Sequence, residues 1–198
     1  PKNEIKLYEL GSVLDSNGQT MPEIEALKPD GYFELKFVSA MVDRTKAALT
    51  TPIILSADTY VVGLIVYDFR GVSGFELALS SNSKASWAAQ QEFSENHYRK
   101  WDWHYWDQEP PHTPIFGETD LEILEGWIKE CETKGMDETI QHVRLWSLVV
   151  HIATTVRNQV GNIPIIIGNG VTEDWETDAT CLANMGGEAE EYLDGRFA

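Results

Sequence analysis

The sequence predicts an α+β fold, a mostly antiparallel sheet built on a central hairpin and packed by several helices, and three observations predict it. Apolar residues recur at helical spacing over residues 32–49 and again over 137–158. A β-branched and aromatic run at 60–69 is followed by turn residues and then by an alternating segment at 75–79. Apolar residues make up 42% of the 198, enough to bury one real core. The organisation expected is one domain over residues 1–198, with 1–31 as an N-terminal arm or extension.

Taken in order, residues 1–30 mix Ile5, Leu7 and Leu10 with Gly11, Asn17-Gly18 and Pro22, which reads as a strand or irregular arm with turns. Phe33, Phe37, Val38, Met41, Val42, Thr45 and Leu49 mark one face of an amphipathic helix over 32–49, and Pro52 stops it. The hairpin comes next: Tyr60 to Phe69, the turn Arg70-Gly71-Val72-Ser73-Gly74, and Phe75 to Leu79. Asn82 to Asn96 reads as a short helix carrying Trp87, Ala88 and Phe93, with Ser and Asn at its entrance. Residues 97–106 read as an extended strand with Trp101, Trp103 and Tyr105 on one face and Asp102, His104 and Trp106 on the other, and Pro110, Pro111 and Pro114 mark a loop after it.

Two helices follow, Thr119–Thr133 and Asp137–Asn158, divided by Lys134-Gly135. The second is apolar nearly all round (Val143, Trp146, Leu148, Val149, Val150, Ile152, Ala153, Val156), the pattern of a helix buried on several sides. Ile163–Ile167 reads as a short apolar strand running into Gly168-Asn169-Gly170, and Asp174–Leu193 as helix or loop and helix, broken at Gly186-Gly187.

Charge sets the partner class. Thirty-two acidic residues face fifteen lysines and arginines, a net −17, which repels nucleic acid and speeds encounter with basic surfaces. Residues 1–117 carry ten basic and sixteen acidic side chains, net −6, whereas 118–198 carry five and sixteen, net −11. The acids of the second part are interleaved with Leu121, Leu124, Trp127, Ile128, Trp175, Leu182 and Tyr192, so they belong to folded structure. The most apolar stretch, Leu145 to Val156, is interrupted by Ser147, His151, Thr154 and Thr155 and falls short of a membrane span. No charged-then-apolar leader opens the sequence, and Cys131 and Cys181 lie too far apart for a zinc knuckle or disulfide scaffold. A cytoplasmic protein with reduced thiols is the expectation.

Catalytic patterns are weak. Gly168 and Gly170 between a strand and a helix suggest a phosphate-binding turn, but the third glycine is missing and Glu173, Asp174 and Glu176 stand where an anion would sit. Asp102, His104, Asp107, Glu109 and His112 offer metal-type donors without an established spacing. His142 and His151 fall on opposite sides of one helix. Glu118 and Glu122 share a helical face, as expected among so many acids. Trp101, Trp103 and Trp106 suit a core or an interface edge better than base stacking, since only Arg99 and Lys100 lie beside them.

The order of elements resembles that of DUF4303, a bacterial family of uncharacterised domains. The resemblance is carried by the helix 32–49, the strand Tyr60 to Phe69, the block Arg99-Lys-Trp-Asp-Trp-His-Tyr-Trp106, and Ile163–Ile167 followed by Asp174-Trp-Glu-Thr-Asp-Ala-Thr-Cys-Leu-Ala-Asn184. It spans most of residues 32–184. Such domains look like members of toxin–immunity neighbourhoods, so the resemblance implies an inhibitor-type binding protein and supplies no catalytic residues.

The function expected is therefore non-enzymatic and cofactor-free: an immunity-type protein that neutralises a basic toxin domain by occupying its cationic site. The acidic surface expected to bind that partner comprises Glu118, Asp120, Glu122, Glu125, Glu173, Asp174, Glu176 and Asp178, with Trp175 as aromatic anchor. Two alternatives remain: a DNA mimic that inhibits nucleic-acid-binding proteins, and a small metal-dependent enzyme using Asp102, His104 and His112.

Overall fold

A computed structural model describes residues 12–14, 20–22, 28–68, 75–91, 106, 112–168, 179–180 and 183–184. In chain order the elements are β1 (Ser12–Leu14), β2 (Thr20–Pro22), α1 (Tyr32–Leu49), β3 (Thr59–Asp68), β4 (Phe75–Ser83), α2 (Lys84–Gln91), β5 (Thr113–Pro114), α3 (Leu121–Thr133), α4 (Glu138–Val160) and β6 (Ile165–Gly168). A short 3₁₀ turn, Glu118–Asp120, leads into α3. The N-terminal segment contains an antiparallel pair, β1 with β2, that forms its own two-stranded sheet.

Helix α1 has the bounds its sequence predicts, and for the predicted reason. Phe37, Val38, Met41, Val42, Thr45 and Leu49 are buried at helical spacing, and the Thr45 hydroxyl disposes of its own polarity by donating to Met41 O at 2.7 Å. At its end, the Thr50 and Thr51 hydroxyls donate to the carbonyls of Ala47 and Ala48, which also accept the Thr50 and Thr51 N–H in a tightened last turn. Asp137 caps α4 by accepting from the Ile140 N–H at 2.9 Å. Between α3 and α4, Gly135 takes φ 75°, which lets Met136 N–H return to Cys131 O at 2.9 Å.

The main sheet has the order β5-β4-β3-β6. The expected hairpin is its centre, with β3 antiparallel to β4 in the register Leu64↔Leu79 and Val66↔Leu77. Two pairings are antiparallel, but β6 lies parallel to β3, with Val62 opposite Ile165, so the sheet is mixed. All four β6 residues are buried, as expected of a strand that parallel pairing places inside the fold. Strand β4 runs past its predicted end through Ser80, Ser81 and Asn82, all buried; three polar residues in a row carry no strand signal, yet continued pairing with Val61, Val62 and Gly63 holds them extended. Asn82 Nδ2 donates to Tyr60 Oη at 3.0 Å there.

Alternation along the strands divides two cores. Val62, Leu64 and Val66 of β3, Phe75, Leu77 and Leu79 of β4, and Ile165 and Ile167 of β6 join α1, α3 and α4 in the large core. On the other face Val61, Ile166 and Trp106 cluster, with Tyr60 packed against them. Gly63 is required there: a Cβ would lie 2.8 Å from the Trp106 ring. Trp106 is thus buried, while the strand expected over 97–105, the helical residues expected at 92–96 and most of 174–193 lie outside the described residues.

Candidate functional site

Helix α3 turns Ile123, Leu124, Trp127 and Cys131 into the core. A step of about 100° per residue then leaves Glu122, Glu125, Lys129 and Glu132 on the solvent face, beside the exposed Leu121. Glu122 lies in the first turn of the helix, and the last turn holds no basic residue. An acid at the start of a helix favours its dipole, whereas Glu132 near the end opposes it. The described ion pairs are Arg44–Asp120, Lys134–Glu130 and Arg144–Glu34, so Glu122, Glu125 and Glu132 have no opposite charge of this chain bonded to them among the described residues.

Asp120 does not belong to that face. It is 2% exposed, and its carboxylate is taken up inside the chain: Oδ1 accepts from Arg44 Nη2 at 2.8 Å, and Oδ2 from Arg44 Nη1 and from Gly117 N–H. Arg44 Nη1 also donates to Ile115 O at 2.8 Å. The physical reason is position. Asp120 precedes α3 in the 3₁₀ turn, where its side chain reaches back towards α1 instead of following the solvent face of α3. The hydrogen bond to Asp120 raises the Arg44 pKa above its ordinary value against the opposing effect of burial.

Of the other residues expected to bind a partner, Glu122 and Glu125 are exposed. Glu118 lies in the 3₁₀ turn, but its side chain, together with Glu173, Asp174, Trp175, Glu176 and Asp178, lies outside the described residues.

One ionic site went unseen in the sequence. Glu34 sits on the buried stripe of α1, and Arg144 reaches it from α4 with Nε at 2.9 Å from Oε1 and Nη2 at 2.5 Å from Oε2. Trp127 Nε1 donates to Oε1 at 3.1 Å and Asp30 N–H to Oε2 at 2.7 Å. Burial alone would push the Glu34 carboxyl up, but the hydrogen bonds and charge of Arg144, aided by Asp30 and Trp127, hold it below its ordinary value. Arg144 Nη2 donates further to Lys28 O at 2.6 Å. The available signal was a charged residue of each sign on an otherwise apolar helical stripe. Both oxygens of Glu34 are thus taken up by donors of this chain, which makes the cluster a clamp between α1 and α4.

The chemical candidates fare differently. Burial and the Glu34 charge raise the Cys131 thiol to about 11, which leaves it protonated and unreactive at neutral pH. Burial, with Lys28 and Arg144 nearby, lowers the His151 pKa. Among the described residues no three His, Cys, Asp or Glu side chains are grouped to hold a metal ion. Of the donors at 102–112 only His112 is described; its ring lies 6.0 Å from that of Tyr67. No described helix is long and apolar enough to cross a membrane.

None of the family models, curated proteins or solved structures compared with the chain matches it. The functional reading therefore rests on the chain's own residues.

Proposed function

We propose that this protein is an acidic protein-binding inhibitor of the immunity type, which neutralises a basic partner domain by laying carboxylates into its cationic site. The observation that supports this most is the solvent face of α3, where Glu122, Glu125 and Glu132 have no ion pair among the described residues while Asp120, Glu130 and Glu34 are each matched to a base. The net charge of −17 would steer a basic partner over a distance of about one Debye length, roughly 8 Å at physiological salt. Leu121 at the rim of that face supplies apolar contact once the partner has docked. Glu173, Asp174, Glu176 and Asp178, with Trp175 as anchor, extend the proposed surface along the chain.

The test uses the tagged chain and a Glu122→Lys/Glu125→Lys variant as baits in lysate of the source organism, at low and moderate salt. The expected result is one basic protein captured stoichiometrically by the wild type, released as salt rises, and associating about tenfold more slowly with the variant. Equal capture by both baits, or no basic protein in either, would overturn the reading.

A further inference from the structure

Strand β6 ends the order β5-β4-β3-β6. Its residues Ile165–Ile167 are uncharged and apolar, and such a strand left open at a sheet edge is a template for pairing with another chain. Val62 N–H donates to Pro164 O at 3.0 Å, so by alternation residues 164 and 166 turn their backbone groups to β3, and Ile165 and Ile167 turn theirs outward.

Two side chains meet those outward groups. Ile165 N–H donates to Asn184 Oδ1 at 2.8 Å, and Ile165 O accepts from Asn184 Nδ2 at 2.6 Å. Ile167 N–H donates to Thr180 Oγ1 at 3.0 Å, and the same hydroxyl lies 3.4 Å from Ile167 O. Asn184 is itself fixed to Thr180 O through Nδ2 at 2.7 Å and through its backbone N–H at 3.2 Å. The match is geometric: the Asn184 N–H to Thr180 O bond is the i, i+4 contact of one turn, about 6 Å of rise, and two residues of strand advance about 6.6 Å. Both side chains are buried, Thr180 fully. The opposite edge is blunted differently, since β5 is only Thr113–Pro114 and proline offers no N–H to a further strand.

We propose that Thr180 and Asn184 form an edge cap that keeps β6 from pairing with β6 of a second copy of this chain. The cap supplies the hydrogen bonds of a neighbouring strand without being one, and it occupies the place where that second copy would add.

The test is a Thr180→Ala/Asn184→Ala variant, which removes the four contacts and leaves the outward backbone groups of Ile165 and Ile167 without side-chain partners. Amide exchange at Ile165 and Ile167 should accelerate at least about tenfold in dilute solution while Ile166 keeps its protection. Sedimentation velocity over a concentration series should show the variant associating at least about tenfold more tightly than the wild type, with protection at Ile165 and Ile167 restored in the associated form. Amides that open without any added association would overturn the proposal, as would amides that stay protected. If the double variant does not fold, Asn184→Ala alone, which retains the Thr180 hydroxyl on Ile167, is judged on Ile165 by the same two outcomes.

Discussion

Helix α1 is held near each end by an ion pair, and the two pairs differ in what water can reach. Near its start, Glu34 and Arg144 are both withdrawn, with side chains 9% and 15% exposed. Near its end, Asp120 is equally withdrawn at 3%, but the Arg44 side chain is 44% exposed. Breaking the first pair strands a guanidinium inside the fold. Breaking the second lets the guanidinium return to solvent. The carboxylates are alike; the fate of the partner decides the cost.

Neutralising the two acids one at a time separates the pairs most. Glu34→Gln leaves Arg144 buried without its counter-charge and should cost about 3–5 kcal/mol in urea unfolding. Asp120→Asn should cost less, about 1–3 kcal/mol, because Arg44 rehydrates and Gly117 N–H keeps an acceptor. An Asp120→Asn variant as unstable as Glu34→Gln would show that burial of the arginine is not what separates the pairs.

Acid acts on the Glu34–Arg144 pair as well. The folded pKa of Glu34 lies below its ordinary 4.5, so the folded state binds fewer protons there than the unfolded chain does. Its contribution is complete above that ordinary value and is lost as pH falls through the lower, folded one. Unfolding free energy measured below pH 4.5 should therefore fall more steeply for the wild type than for Glu34→Gln; identical slopes would remove Glu34 as the group responsible.

Smaller effects are expected where both partners meet water. Exposed Lys134 and half-buried Glu130 pair one helical turn apart, and Lys134→Ala should lower stability by about 0.5 kcal/mol, diminishing with salt. Least of all, Glu122→Gln/Glu125→Gln should leave the thermal midpoint within the equivalent of about 0.5 kcal/mol. A marked change there would mean that these solvent-facing acids support the fold.

Local signals were readable and distant ones were not. The stripe Phe37 to Leu49, the break at Gly135, the start of α4 near Asp137 and the hairpin of β3 with β4 each rest on patterns within one element or on a short turn between two, which is where periodicity and turn signals operate. Glu34 and Arg144 lie 110 residues apart, and no local pattern announces that two charges on separate apolar stripes will meet. Asp120 reads as one more member of the run Glu118, Asp120, Glu122; only the tertiary position of Arg44 withdraws it. Similarly, Ile163–Ile167 announces a short apolar strand but not its parallel neighbour, and the seryl end of β4 is extended only because β3 pairs with it.

Gly126 interrupts the middle of α3, and a Cβ there would fall 2.2 Å from the Phe33 ring of α1. The glycine admits that ring at a cost of about 1 kcal/mol in helix propensity relative to alanine. Asp120 stands at the N-cap of α3, yet its carboxylate makes no capping bond there and is turned to Arg44 and Gly117 instead. A helix of 13 residues with such an interruption and no side-chain cap has little reason to form by itself. Its helical order therefore depends on docking against α1, and the helix that displays Glu122 and Glu125 is one whose lifetime is set by its neighbour.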